Sequence, residues 1–598
     1  MIRSIQVSLI FILLLLPGIS FVHIWPLNSL FPDGGTLLVV SVLFALTLIR
    51  VAALRELPFS TAVLFPLVML APLLASHLAT DLLLETTLNW MAISLVLTAL
   101  LVIVAEQFRS SGADFQSLIA RALMVTGVVY AVFALIQHYG LLAQLVDLPA
   151  PDAGRLKGAW QQPNLTTSTL WVTLFGAAYV NRSNKKMTCV VAFSLLIGAV
   201  LALAASRMNL VLVPFALIIS GWLLWSSKTD ESTQGRNLLA GTMVILVCLL
   251  VVPAISAPLE RELAEAGWIG EGEGVSLLER PATDRARVME FLKIANSLEE
   301  WSLKEWLFGQ GVGQYGKFSY QQPVVPLRGA GGQGAWLHSH NLFSMIFVET
   351  GMLGLIALLV IVVTLVYTVW QRRNTAWGVP ALGGLGVIFA HSMVEYPLWY
   401  PWYLVVAILL AAPLFRTRKV SVTSPWLFSV AGVAVLVVVA GLAWNLGTQA
   451  RTILETAVRV DSDEESYRHL ALLSNDGLLG PYAVLAKYRR FSPERVNLDW
   501  QLREVRRISE WRPLDVVQLR EVTLLLMMGK MENACKKARE VVQRYPAAGP
   551  IVLEKAGMMK AVDDSEVARL SGCVEEALQI WGETLATMQQ KNNRRADS

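Results

Sequence analysis

Charge is scarce in this chain of 598 residues: only 16% are Asp, Glu, Lys or Arg, against 55% hydrophobic. That balance excludes an ordinary soluble globular protein. The formal net charge is only +4, and the basic residues fall at the ends of apolar segments instead of forming one patch. Without a basic patch, nucleic acid is not an expected partner. Cysteine is scarcer still, with four in all. Cys189 and Cys248 lie in apolar runs, and Cys535 and Cys573 lie in a later polar region. No CxxC or Cys/His spacing results, so neither a zinc nor an iron–sulfur site is expected, and no cofactor or metal is called for.

What the chain has in abundance is long apolar segments. The first runs from Met1 to about Phe21, behind a basic Arg3, and lacks the small-x-small pattern of a cleavage site. Twelve more, of roughly 17 to 25 residues, are centred near 36–54, 60–78, 89–105, 119–138, 164–181, 188–205, 209–226, 237–255, 341–370, 377–394, 399–415 and 425–447. The expected fold is all-α: a polytopic membrane bundle of about thirteen spans. The positive-inside rule orients it. Arg3, Arg50, Arg55, Arg109, Arg121, Arg182, Lys185, Lys186, Lys228, Arg236, Arg372, Arg373, Arg416, Arg418 and Lys419 all fall on one side, which makes the N-terminus cytoplasmic. The opposite, periplasmic side then receives the loop near 140–163, the long loop, the short loop 394–400 and everything after about Asn445.

This predicts four parts: N-terminal spans over 1–255, a long outer loop over 256–340, further spans over 341–447, and a soluble helical domain over 448–598. The last has mixed, nearly balanced charge at helical spacing, as in MENACKKAREVVQRY, and its helix lengths suggest a tetratricopeptide-like stack. Outside the membrane, Cys535 and Cys573 form either a disulfide or two buried thiols.

Polar residues that face the outer side stand out. Residues 328–354 read RGAGGQGAWLHSHNLFSMIFVETGMLG, with glycines at Gly329, Gly331, Gly332 and Gly334. Ser339 and Asn341 are N-cap types ahead of an apolar run, which places His338, Ser339, His340 and Asn341 at a helix start. There the dipole disfavours imidazolium, so a histidine stays neutral and can act as a base. Arg155, Lys157, Arg207, Arg280, Arg285 and Arg287 break the charge rule, and Arg207 in SRMN has no room for a solvated loop. Gln161, Gln162 and Asn164 flank Pro163 at another helix start. Residues 284–316 read as one amphipathic helix followed by a glycine turn, suited to the interface plane. Residues 391–403, HSMVEYPLWYPWY, read as an interfacial aromatic belt in which Trp399, Trp402 and Tyr403 sit. Glu349, about nine residues inside its span, reads as a buried structural acid, and His391 as a residue that caps or packs a helix.

These stretches together resemble the O-antigen ligase/polymerase superfamily, and within it the bacterial protein O-oligosaccharyltransferases of the PglL type. GRLKGAWQQPN, SRMN, Arg287 ahead of GQGVGQYG, HSHNLFSMIFVETGMLG and HSMVEYPLWY carry the resemblance, over roughly residues 150–415. Phe291 and Met208 depart from the pattern. The resemblance implies an inner-membrane enzyme that transfers a preassembled oligosaccharide en bloc from undecaprenyl pyrophosphate to Ser/Thr hydroxyls of a periplasmic or pilin-type acceptor protein. It implies His340 as base, with Arg207 and Arg287 stabilising the pyrophosphate without metal. Gln162, Asn164 and Tyr396 would orient substrate; Arg155, His338 and Asn341 would be further contacts. Rival readings are a ligase onto lipid A-core, a glycan polymerase, a metal-dependent transferase using Asp461, Ser462 and Asp463, and a lipid-linked sugar transporter, which would need charges at mid-depth.

Overall fold

The computed structural model describes residues 2–19, 27, 30–80, 94–105, 115–141, 144, 154–182, 187–225, 229–270, 285–322, 334–373, 375–458, 470, 472–474, 479–490, 497–545, 565, 568–580 and 582–583. Arg280, Gly329, Gly331, Gly332, Asp461, Ser462 and Asp463 lie outside them.

Helices dominate the described residues. In chain order they are α1 (Ile2–Ile19), α2 (Leu30–Leu54), α3 (Leu64–Thr80), α4 (Ser94–Ala105), α5 (Phe115–His138), α6 (Pro163–Val180), α7 (Met187–Ala204), α8 (Asn209–Leu224), α9 (Thr229–Glu265) and α10 (Arg285–Ser297). They continue as α11 (Leu303–Phe308), α12 (Tyr315–Gln321), α13 (Leu342–Arg372), α14 (Gly378–Ser392), α15 (Pro401–Ala411), α16 (Pro425–Val458), α17 (Gly480–Arg490), α18 (Leu498–Trp511), α19 (Asp515–Met527) and α20 (Met531–Arg544). A helix lies in each of the thirteen apolar segments, and seven are long and apolar enough to cross a membrane. Two overrun the expected span ends near 255 and 447. α9 has 37 residues, about 55 Å at 1.5 Å per residue, and α16 reaches Val458. α13 and α16 present rows of exposed apolar residues, among them Val360, Val363, Val366, Val433, Val437 and Leu442. Lipid is the solvent that tolerates such rows.

α6 is the axis of the bundle. Gln162 caps it by accepting from the Leu165 amide at 2.7 Å, and Pro163 fits its first turn. It is buried almost all round, against α5, α7, α9 and α14. Its threonine hydroxyls are satisfied inside: Thr167 donates to the Pro163 carbonyl, Thr166 to the Lys157 carbonyl, and Thr169 pairs with the Tyr403 phenol at 2.9 Å. That satisfaction is what permits so many threonines in an apolar core.

The fold is all-α as expected, apart from one short antiparallel strand pair, Glu56–Ser60 with Thr417–Ser421, in which Glu56 lies opposite Ser421 and Ser60 opposite Thr417. The strands bring together two loops that carry Arg55 and Arg418, which the charge rule assigns to one side. Two expectations need correction. First, residues 284–316 are not one helix. Ser302 and Glu305 form a reciprocal capping box that starts α11 afresh, and Gly309 at φ 74° ends it. Trp301 faces inward, stacked on Phe347 at 5.2 Å and edge-on to Trp306 at 5.9 Å, while Phe291 is exposed. Second, Trp402 and Tyr403 are not belt residues: both are fully buried. The Tyr403 hydroxyl donates to the Leu165 carbonyl at 2.7 Å, locking α15 onto α6.

Beyond α16, α18, α19 and α20 form successive antiparallel pairs around a core that includes Val505, Val522, Leu525, Ala538 and Val542. Cys535 and Cys573 are joined as a disulfide that ties α20 to the helix at 568–580. This region touches the long loop through Lys537, whose Nζ donates to Tyr320 at 3.3 Å, and Arg544, which donates to the Gln321 carbonyl at 2.8 Å.

Candidate active site

Segments from five places along the chain meet at one carboxylate. Glu395, in the turn after α14, is only 6% exposed. Its Oε2 lies 2.8 Å from Nδ1 of His340. Its Oε1 accepts from Arg287 Nη2 at 3.1 Å and from Asn164 Nδ2 at 3.0 Å. Asn164 in turn accepts from the Ser206 hydroxyl at 2.7 Å, which draws in the SRMN turn. Burial alone would raise the Glu395 pKa. The His340 hydrogen bond and the positive charge around it outweigh that, holding the carboxyl below its ordinary value.

The histidine segment is built for this contact. Asn341 caps α13, accepting from the amides of Phe343 and Ser344 at 3.0 and 3.1 Å, while its own Nδ2 donates to the Met393 carbonyl at 3.1 Å. His340 takes a positive φ of 55° just ahead of that cap, a conformation a bulky residue adopts only when its surroundings enforce it. Trp336 packs edge-on to its ring at 4.4 Å and Tyr396 at 5.4 Å. A carboxylate on Nδ1 selects, for the neutral ring, the tautomer with its hydrogen on Nδ1 and its lone pair on Nε2. Nε2 has no protein partner among the described residues.

His338 differs. Its ring stacks on Tyr396 at 3.9 Å, and its buried Nδ1 has no hydrogen-bond partner among the described residues. Burial, with His340 and Arg512 nearby, pushes its pKa down to about 3, so it is held neutral. Both histidines line a cavity of about 840 Å³ together with Trp336, Tyr396, Trp399 and Glu349. Glu349 is buried as expected, and the amides of Gly313 and Tyr315 bond it.

The other predicted residues divide. Arg287 and Asn164 reach the site through Glu395. Gln162 has its side-chain oxygen committed to capping α6. Arg155 directs Nε to the Ala204 carbonyl at 2.9 Å, bracing the end of α7. Arg207 stands beside Ser206 in the turn that opens α8. None of these five lines the cavity. His391, inside α14, is fully buried and packs edge-on to Tyr403 at 6.3 Å. The residue that sequence reasoning passed over is Glu395. It stood in the quoted HSMVEYPLWY motif, and a carboxylate at the end of an apolar span was the available signal.

A second buried ion pair pins the approach to the histidines. Lys293 Nζ lies 2.7 Å from Glu290, and the two side chains are 0% and 1% exposed. Lys293 also donates to Ser319 at 3.1 Å and to the Gly334 carbonyl at 3.3 Å, using all three of its hydrogens. Glu290 accepts from Tyr315 and Ser319 at 2.9 Å each, and the Trp336 amide donates to Ser319 at 3.0 Å. Burial draws the Lys293 ammonium below the usual lysine range against the pull of Glu290.

The class this defines is a helical membrane protein with a histidine–carboxylate pair opening on a cavity. Two family models agree with it: O-antigen ligase over residues 192–359, and the C-terminal part of a membrane-bound polymerase described as a virulence factor over residues 379–551. The chain belongs to the O-antigen ligase/polymerase superfamily, a membership that carries glycosyltransferase-type activity in a membrane protein. No curated protein is matched by the chain.

Proposed function

We propose that this protein moves a preassembled oligosaccharide from undecaprenyl pyrophosphate to a serine or threonine hydroxyl of a periplasmic protein, such as a pilin. The observation that carries the chemistry is the Glu395–His340 contact at 2.8 Å beside the cavity. The acceptor hydroxyl gives its proton to His340 Nε2 as its oxygen bonds the anomeric carbon. The bond from that carbon to the pyrophosphate oxygen breaks, and undecaprenyl pyrophosphate leaves with the electron pair. Glu395 keeps the imidazole in the right tautomer and stabilises the imidazolium that forms, the role a carboxylate has behind a catalytic histidine. General-base help of this kind contributes roughly 10² to 10⁴ in rate. Arg207 and Arg287 raise the positive potential at this face, where the diphosphate charge develops.

The reading takes the N-terminus as cytoplasmic, residues 256–340 as a periplasmic loop and the helical pairs after 448 as a periplasmic, tetratricopeptide-like region suited to a protein acceptor. A second reading, ligation onto lipid A-core or glycan polymerisation, is favoured by the two matching families, a ligase and a polymerase. Both readings share the base and the lipid donor and differ in the acceptor hydroxyl. Co-expression with a lipid-linked glycan and a candidate acceptor, read by a mobility-shift blot, separates them. Glycan on the acceptor that vanishes with His340→Ala supports protein transfer; glycan found only on lipid A supports ligation; undiminished transfer by His340→Ala removes the catalytic assignment.

A further inference from the structure

The cavity beneath the histidines has a wall drawn from the far end of the chain. Tyr482, Trp511 and Arg512, all beyond α16, line it with His338, His340 and Tyr396. Arg512 ends α18. Its amide still bonds the Ile508 carbonyl at 2.7 Å, its backbone has left the helical region, and Pro513 follows. That stop fixes where the side chain departs. The guanidinium lies over the Trp511 ring at 4.5 Å, within electrostatic reach of the Tyr396 and Tyr482 phenols.

What Arg512 does not have, among the described residues, is a counter-charge. The two carboxylates that line the cavity, Asp33 and Glu349, are not its ion-pair partners, and among the described residues no side-chain hydrogen bond holds it. A mostly buried guanidinium in that position is unfavourable unless an anion joins it. Arg287 is already paired with Glu395, and among the described residues Arg512 is the one lysine or arginine that lines the cavity. Its planar fork matches two oxygens of a phosphate or carboxylate.

We propose that Arg512 binds an anionic group of the lipid-linked substrate, so that the C-terminal helical region completes the donor site instead of only receiving the acceptor. This rests on the reading of the cavity as the transfer site. The chemistry sought is an anion with two adjacent oxygens, supplied either by the lipid diphosphate or by the carboxylate of an acidic sugar.

The test uses the full chain in lipid nanodiscs, wild type, Arg512→Gln and Arg512→Lys, with two probes measured by thermophoresis: sugar-free undecaprenyl pyrophosphate and a soluble oligogalacturonate. Arg512→Gln should weaken one of them by roughly 10- to 100-fold, the scale of a charge-assisted hydrogen-bond pair. Arg512→Lys should lose less than tenfold. A loss with undecaprenyl pyrophosphate assigns the diphosphate, and a loss confined to oligogalacturonate assigns the sugar acid. Melting curves accompany each variant, and Arg512→Gln should melt no lower than wild type, because it removes an uncompensated charge. Equal binding of both probes by wild type and Arg512→Gln overturns the inference while leaving the transfer reading in place. Arg512→Lys as weak as Arg512→Gln also overturns it. A wild type that binds neither probe overturns both readings.

Discussion

Two buried carboxylates, Glu290 and Glu395, anchor two clusters that hold the same histidine segment, yet they are built to opposite ends. Around Glu290 every hydrogen has an acceptor: Lys293 spends three, and Tyr315 and Ser319 spend theirs on the carboxylate. Around Glu395 the contacts stop one atom short, because His340 gives Nδ1 to the acid and, among the described residues, keeps Nε2 unengaged. A saturated cluster can only hold position. An unsaturated one, facing a cavity, can exchange a proton.

That contrast is open to attack, and the largest effect belongs to the unsaturated cluster. His340→Ala should lower the transfer rate roughly 10²- to 10⁴-fold with a melting temperature near wild type, and Glu395→Gln, which also gives up the stability its carboxylate contributes, should lower transfer per folded molecule by up to about 10⁴-fold; initial rates on purified protein decide it. Equal losses of folded protein would erase the distinction between the clusters. Next, Lys293→Met should cost about 3–5 kcal/mol by stranding Glu290, with much of it recovered in Glu290→Gln/Lys293→Met, as followed by thermal melting. Transfer per folded molecule should fall far less than in His340→Ala.

Cys573→Ser, which opens the bridge across a separation of 38 residues, should loosen α20 by about 2–4 kcal/mol, read as faster hydrogen exchange there. The smallest effect concerns His338. Its folded pKa of about 3 lies below the ordinary 6.5, so between those values the unfolded chain binds more protons and stability declines as pH falls. His338→Phe, which keeps a ring against Tyr396, should make that acid decline in melting temperature shallower. Glu395 adds to the same limb: its depressed pKa contributes stability above the ordinary carboxylate range that disappears as it protonates.

Helix positions were legible because a 20-residue apolar run in lipid has few alternatives to a helix. Asn341 as a cap and His340 just ahead of it were legible for a local reason, since capping is decided within four residues. What escaped were matters of distant pairing or of facing. Residues 56–60 hold Pro58 and look like a connector, and only a partner some 360 residues away makes them a strand. Trp402 and Tyr403 carry the composition of an interfacial belt, and nothing local says that they turn inward. Glu395 looked like a loop acid because its three partners come from α10, the start of α6 and the segment before α13.

The strand pair has one more implication. It joins neighbouring ends of α2 and α16, which run side by side, while Leu30 and Asp33 at the opposite end of α2 help wall the cavity and Leu27 packs with Ile453 near the end of α16. Residues some 360 apart in the chain thus form a single splint through the molecule. A ribosome that has delivered both histidines has still not delivered residues 417–512, so the nascent protein has no finished pocket until Arg512 has emerged.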